Sequence, residues 1–152
     1  MKETESKQFT LKNGRSVIIR PLKEDELDNT RQLCIKTFRE DRYTMSVMQE
    51  KHQRHPSLFI GYFDEKELGG TVFGWPDYPE YPDILVVKAI IVNETYRRKG
   101  IGIRLLKEFE KTAKTEGFLS IVLGAEWEAV PFYISYGLEC FANIQITLDE
   151  IP

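Results

Sequence analysis

The chain has 152 residues, of which 41% are hydrophobic and 30% charged, with a formal net charge of −3. That size suits a single domain, 1–152, with a sizeable core. The acidic balance speaks against a nucleic-acid partner, and no apolar run approaches the roughly 20 residues of a membrane span. The polar opening MKETESKQFT carries no apolar signal core, and Cys34 and Cys140 stand apart with no CxxC spacing. We therefore expect a cytoplasmic chain whose two thiols are reduced and buried.

In FTLKNGRSVIIRPL, Asn13-Gly14 separates two apolar-alternating runs, which predicts a hairpin with a two-residue turn. The next segment, KEDELDNTRQLCIKTF, sets Leu27, Thr30, Cys34 and Phe38 on one helical face and acids in its first turn. A second helix is expected from Tyr43 to His52, stopped by Pro56. SLFIGYF and GGTVFGW read as antiparallel strands joined by an acidic turn at Asp64 to Glu67. PDYPEYPD is a loop stiffened by proline.

ILVVKAIIV, residues 84–92, is apolar almost throughout and suits a central strand covered on both faces. From Gly102 onward Ile103, Leu106, Phe109 and Ala113 recur at helical spacing, with Leu105 widening the stripe and Gly117 placed to end the helix. FLSIVL, 118–123, is a further buried strand, so residues 84–123 form one parallel, right-handed strand–helix–strand unit. AVPFYISYG predicts a short helix and ECFANIQITL a closing strand. The element order implies a mixed sheet with helices on both faces, in the α/β class with α+β character.

The stretch YRRKGIG, residues 96–102, places three cations where a helix is about to begin. Cations at the positive end of a helix cost roughly 0.3–1 kcal/mol each at low salt, unless an anion lies there. Gly100 and Gly102 let a ligand approach the main chain, and the unbonded N–H groups of a first helical turn face the same space. Phosphate is the usual occupant of such a place; a solvated charged turn is the plainer alternative. The spacing is not the GxxxxGK[ST] of a nucleotide-binding P-loop, and GIGIRL has Leu105 where a dinucleotide loop needs its third glycine.

The pattern that remains is [QR]-x-x-G-x-[GA], met by Arg97, Gly100 and Gly102. Set after IIVNETY and before IRLL, it resembles motif A of the GNAT superfamily of N-acetyltransferases. AVPFYISYGL resembles the family's AxxFYxxxGF segment, with Ala129, Phe132, Tyr133, Gly137 and Leu138 in register. The resemblance spans about residues 16–148 and implies a mixed, mostly antiparallel sheet with a parallel strand pair at its middle.

It also implies roles. Arg97, Arg98, Lys99, Gly100, Ile101 and Gly102 would hold the diphosphate of acetyl-CoA, the acetyl donor. The main chain of Ile90, Ile91 and Val92 would pair with the pantetheine arm as with an added strand. Tyr133 would be the general acid that protonates the departing thiolate. Where the family often carries Asn this chain has Glu126, a departure that puts a cofactor contact in doubt and offers a candidate base; a water chain is the other route for the amine proton. Lys88 is an unexpected charge in the central strand. His52 and His55 stand at i, i+3 without a third ligand, so no metal is expected.

For the acceptor, WPDYPEYPD combines Trp75, Tyr78 and Tyr81 with Asp77, Glu80 and Asp83, groups that attract a cation by charge and by ring quadrupole. A small cationic amine is the expected acceptor. The alternatives are a protein N-terminus or lysine side chain, and a non-catalytic acyl-CoA sensor. The sequence leaves room for a homodimer.

Overall fold

The computed structural model describes residues 7–10, 14–125 and 127–139. Among them β1 (Lys7–Thr10), β2 (Ser16–Pro21), β3 (Phe59–Asp64), β4 (Glu67–Trp75), β5 (Ile84–Val92) and β6 (Ser120–Leu123) form one sheet in chain order. Each neighbouring pair is antiparallel except β5–β6, which is parallel. The α-helices are α1 (Leu27–Phe38), α2 (Met45–Arg54), α3 (Ile101–Thr115) and α4 (Val130–Tyr136).

The two faces of the sheet carry separate cores. On one, Ile60, Tyr62, Val72, Leu85 and Val87 pack against Ile101, Leu105, Phe109 and Ala113 of α3. On the other, Phe59, Phe73, Trp75, Ala89 and Ile91 pack against Leu27, Leu33 and Cys34 of α1 and Met48 of α2. Phe59 and Phe73 stack with ring centroids 5.3 Å apart, and Tyr43 meets Phe73 edge-on at 5.4 Å. The expected helices and the β3–β4 hairpin are all present, with boundaries moved by local bonding.

α2 starts at Met45 rather than Tyr43, because the Thr44 hydroxyl accepts from the Val47 amide and caps it. α3 starts at Ile101, one residue before Gly102. It closes in a Schellman motif: Phe118 N bonds Ala113 O, Gly117 N bonds Lys114 O, and Gly117 has φ +91°. That closure takes Phe118 out of β6, which begins only at Ser120 and is half-buried rather than buried. β1 and β2 pair as far as Thr10↔Ser16; Asn13 of the expected turn, Cys140 and the expected closing strand lie outside the described residues, apart from Glu139.

One irregularity shapes the middle of the sheet. Phe73 pairs with Ala89 but Gly74 pairs with Val87, so Lys88 is an extra residue in β5, a β-bulge. It reverses the alternation of the strand. Leu85 and Val87 face α3, whereas Ala89 and Ile91 face α1 and α2, and Ile90 and Val92 turn toward α3. Gly74 permits it: a Cβ there would stand 2.1 Å from the Val86 carbonyl oxygen.

Candidate active site

β5 and β6 stay paired only from Ile84↔Ser120 to Val87↔Leu123. Beyond the bulge β5 continues through Lys88–Val92, where its edge away from β4 has no strand partner among the described residues. β6 itself ends at Leu123, so the main-chain donors and acceptors of that edge of β5 are left without a strand partner among the described residues. Ile90, Ile91 and Val92 lie on this stretch of β5. Ile91 buries its side chain on the α1/α2 side, so only its main chain is available there.

The loop from Val92 to Gly100 lies at the end of this stretch. Arg97 Nε donates to the Val92 carbonyl at 2.9 Å, so this arginine secures the loop as well as charging it. Arg98 is left-handed at φ +66°, a conformation that costs roughly 1–2 kcal/mol for a residue with a Cβ. Gly100, at φ +77°, precedes the first turn of α3 and offers no side-chain cap. The first intrahelical bond is Arg104 N to Gly100 O at 3.2 Å, which leaves the amides of Ile101, Gly102 and Ile103 without intrahelical acceptors.

Nothing lies within 4 Å of a Cβ placed at Gly100. Gly100 itself is exposed, as are Arg97, Arg98 and Lys99 beside it. Uncapped donors, the positive end of a helix and surrounding cations form a cradle that fits a diphosphate.

α4 closes the same corner. A Cβ at Gly102 would stand 3.5 Å from Phe132 Cζ and 3.8 Å from Val92 Cγ2, so the two expected motifs meet here. Tyr133 follows Phe132, their rings edge-to-face with centroids 5.1 Å apart. Its ring is half-buried, and its hydroxyl bonds no described residue. Burial pushes its phenol above the ordinary value, which keeps the proton on the oxygen at neutral pH. Glu126 lies outside the described residues.

On the α1/α2 side the bulge is held by two contacts that the sequence did not predict. The Tyr43 hydroxyl donates to the Lys88 carbonyl at 2.8 Å. The Lys88 ammonium bonds the Asp77 carboxylate and lies 5.5 Å from the centre of the Trp75 ring. Gly74, an isolated glycine inside a strand, and Lys88, an isolated charge in an apolar one, were the two signals of the bulge. Trp75 is only 4% exposed and packs in the core with Phe59 and Phe73, so it is not an open aromatic face. Tyr78 and Tyr81 are exposed, at 46% and 60%.

His52 Nε2 lies 2.9 Å from the Leu22 carbonyl, a contact that calls for a proton on that nitrogen and removes it as a ligand. Burial lowers the pKa of His55. Among the described residues no three His, Cys, Asp or Glu side chains group as a metal site, and no helix is long and apolar enough to cross a membrane.

Comparison with known proteins agrees with this geometry. Probable N-acetyltransferase 14 of Xenopus tropicalis is 35% identical over 66 residues, 43% of this chain; the matched stretch spans only 31% of that protein. Many solved structures share the fold, among them the following three. Ard1 from Thermoplasma volcanium superposes with a TM-score of 0.69 at 23% identity, over 83% of this chain and 84% of that one. Diaminobutyrate acetyltransferase EctA from Paenibacillus lautus, solved with L-2,4-diaminobutyric acid and coenzyme A, gives 0.70 at 17%, over 81% and 75%. An aminoglycoside acetyltransferase from an uncultured soil metagenomic sample gives 0.64 at 19%, over 84% and 91%. The model of the acetyltransferase (GNAT) family matches residues 23–137. With that match over most of its length, and with both motifs in contact at Gly102 and Phe132, this chain belongs to the GNAT family of acetyltransferases.

Proposed function

We propose that the protein transfers an acetyl group from acetyl-CoA to the primary amine of a small cationic acceptor, by direct attack in a ternary complex. The observation that carries this reading is the uncapped start of α3, ringed by Arg97, Arg98 and Lys99, at the end of the unpaired edge of β5. The loop amides and cations would hold the diphosphate, and the main chain of Ile90, Ile91 and Val92 the pantetheine arm.

The chemistry has two demands. An alkyl ammonium with a pKa near 10.4 is neutral in only about one molecule in a thousand at pH 7, so a proton must leave before attack. Glu126 or a water chain to solvent takes it. The neutral nitrogen then forms a bond to the thioester carbon, the carbon–sulfur bond breaks, and the Tyr133 phenol gives its proton to the sulfur. The second nitrogen proton returns through water to the phenolate, which restores the tyrosine. Burial keeps the phenol protonated at neutral pH, so the proton is in place when the sulfur departs.

The carboxylates of the 76–83 loop support a cationic acceptor, in reduced number: Asp77 is already bonded to Lys88, which leaves Glu80 and Asp83. The first test is a melting curve with and without acetyl-CoA, where ligand at 100 times its Kd adds roughly 2.7 kcal/mol. An amine panel read by thiol release follows. Turnover confined to neutral or acidic acceptors would overturn the acceptor class. Binding without turnover on any amine would leave a sensor.

A further inference from the structure

The loop that follows β5 rests on the β3–β4 hairpin through one buried side chain. Tyr96 is 7% exposed, and its ring meets Tyr62 edge-on with centroids 5.6 Å apart. Its floor is Gly69, where a Cβ would stand 2.7 Å from Tyr96 Cδ2, so any larger residue would displace the ring. The same glycine carbonyl accepts from Asn93 N at 2.8 Å, which docks the start of the loop. The Tyr96 hydroxyl lies 3.1 Å from both Asp64 Oδ2 and Glu67 Oε2.

One phenol proton is thus shared by two carboxylates. Burial and these two acids hold the phenol well above its ordinary pKa, so the donor is kept. Asp64, 4% exposed, also has Arg15 Nη2 at 3.2 Å from its other oxygen. Directly after this anchor come Arg97, Arg98 in its left-handed conformation, and Lys99, whose ammonium lies 5.9 Å from the Tyr96 ring centre.

We propose that Tyr96, clamped by Asp64 and Glu67 on the neighbouring hairpin, is a positioning residue that preorganises the diphosphate-binding loop. It touches neither reacting atom. Its work is to hold a strained backbone open before the anion arrives, so that ordering the loop does not subtract from affinity. The inference rests on the diphosphate assignment above and adds to it a structural cause for the loop's shape.

The test compares two acetyl donors on wild type, Tyr96→Phe and Glu67→Ala. One is acetyl-CoA; the other is S-acetylpantetheine, which lacks the diphosphate. Expected is a KM for acetyl-CoA raised about fivefold or more in the variants, with kcat and the KM for S-acetylpantetheine unchanged. Variants that match wild type with both donors overturn the proposal. So does an equal loss with both, which is what general destabilisation would produce. Should Tyr96→Phe fail to fold, Glu67→Ala, altered at an exposed residue, decides by the same criteria. Calorimetry of coenzyme A on wild type separates the two levels, because no binding there sinks the diphosphate assignment itself.

Discussion

Replacing Gly74 by alanine tests whether the bulge at Lys88 is built into the sheet. A Cβ at this position would stand 2.1 Å from the Val86 carbonyl oxygen and 3.0 Å from both Val86 C and Val87 Cα, all of them backbone. Ordinary carbon–oxygen contacts begin near about 3.3 Å, so β4 and β5 must separate by about 1 Å at their most buried crossing. Overpacking of this kind costs about 1–3 kcal/mol. With two ladder bonds weakened at about 0.5–1.5 kcal/mol each, the total centres on about 4 kcal/mol.

Two other glycines calibrate the result. At Gly70 the new Cβ would meet Ile91 O at 2.9 Å and Leu105 Cδ1 at 3.3 Å, a milder clash of about 1–2 kcal/mol. At Gly124 it would meet nothing within 4 Å, so alanine there is neutral or stabilises by about 0.4–1 kcal/mol. Urea denaturation reads the series. With a slope of about 1.5 kcal/mol per molar, Gly74→Ala lowers the midpoint by about 2–3 M. A Gly74→Ala midpoint indistinguishable from that of Gly124→Ala would refute the account of the bulge.

Tyr133→Phe should reduce kcat by about a hundredfold or more while the acetyl-CoA KM stays within about twofold, as steady-state kinetics would show. Arg98→Ala and Lys99→Ala should each weaken coenzyme A binding by up to about fivefold, an effect that fades in high salt by calorimetry. Lys88→Met frees the Asp77 carboxylate, so the KM of a cationic amine should fall; no change in an acceptor titration would remove Asp77 from recognition. Glu26 is held below its usual 4.5, first by hydrogen bonds from the Arg20 guanidinium, which outweigh burial. Both bonds are 2.7 Å long. A folded-state pKa below the unfolded one means that this bridge stabilises above about pH 4.5 and is lost as pH falls through the lowered value. In urea midpoints Glu26→Gln should therefore trail wild type by about 1 kcal/mol at neutral pH, and the gap should close in acid.

Much of the fold was legible because its signals are local. The period of Ile103, Leu106, Phe109 and Ala113 comes from a helix meeting one core, and the unbroken run 84–92 comes from a strand buried on both faces. The turn of 96–102 into α3 was legible for the same reason, since glycines and cations are dictated by backbone angles and charge within a few residues. The acceptor side was not. Trp75 looks like an open ring in the sequence, yet it is core because Phe59 and Phe73 stack beside it from two strands. Asp77 looks like a free carboxylate, yet Lys88 reaches it from the next strand.

By itself, then, the sequence determined which elements form and the family they belong to, and it marked the uncapped, cation-flanked start of α3, because each depends on residues close together in the chain. The tertiary structure alone decided the rest. It set the reversal of β5 at Lys88, the clamp of Asp64 and Glu67 on Tyr96, and the pairing that occupies Asp77. These join residues 11 to 45 positions apart, and no local pattern encodes which strand edge will lie beside which side chain.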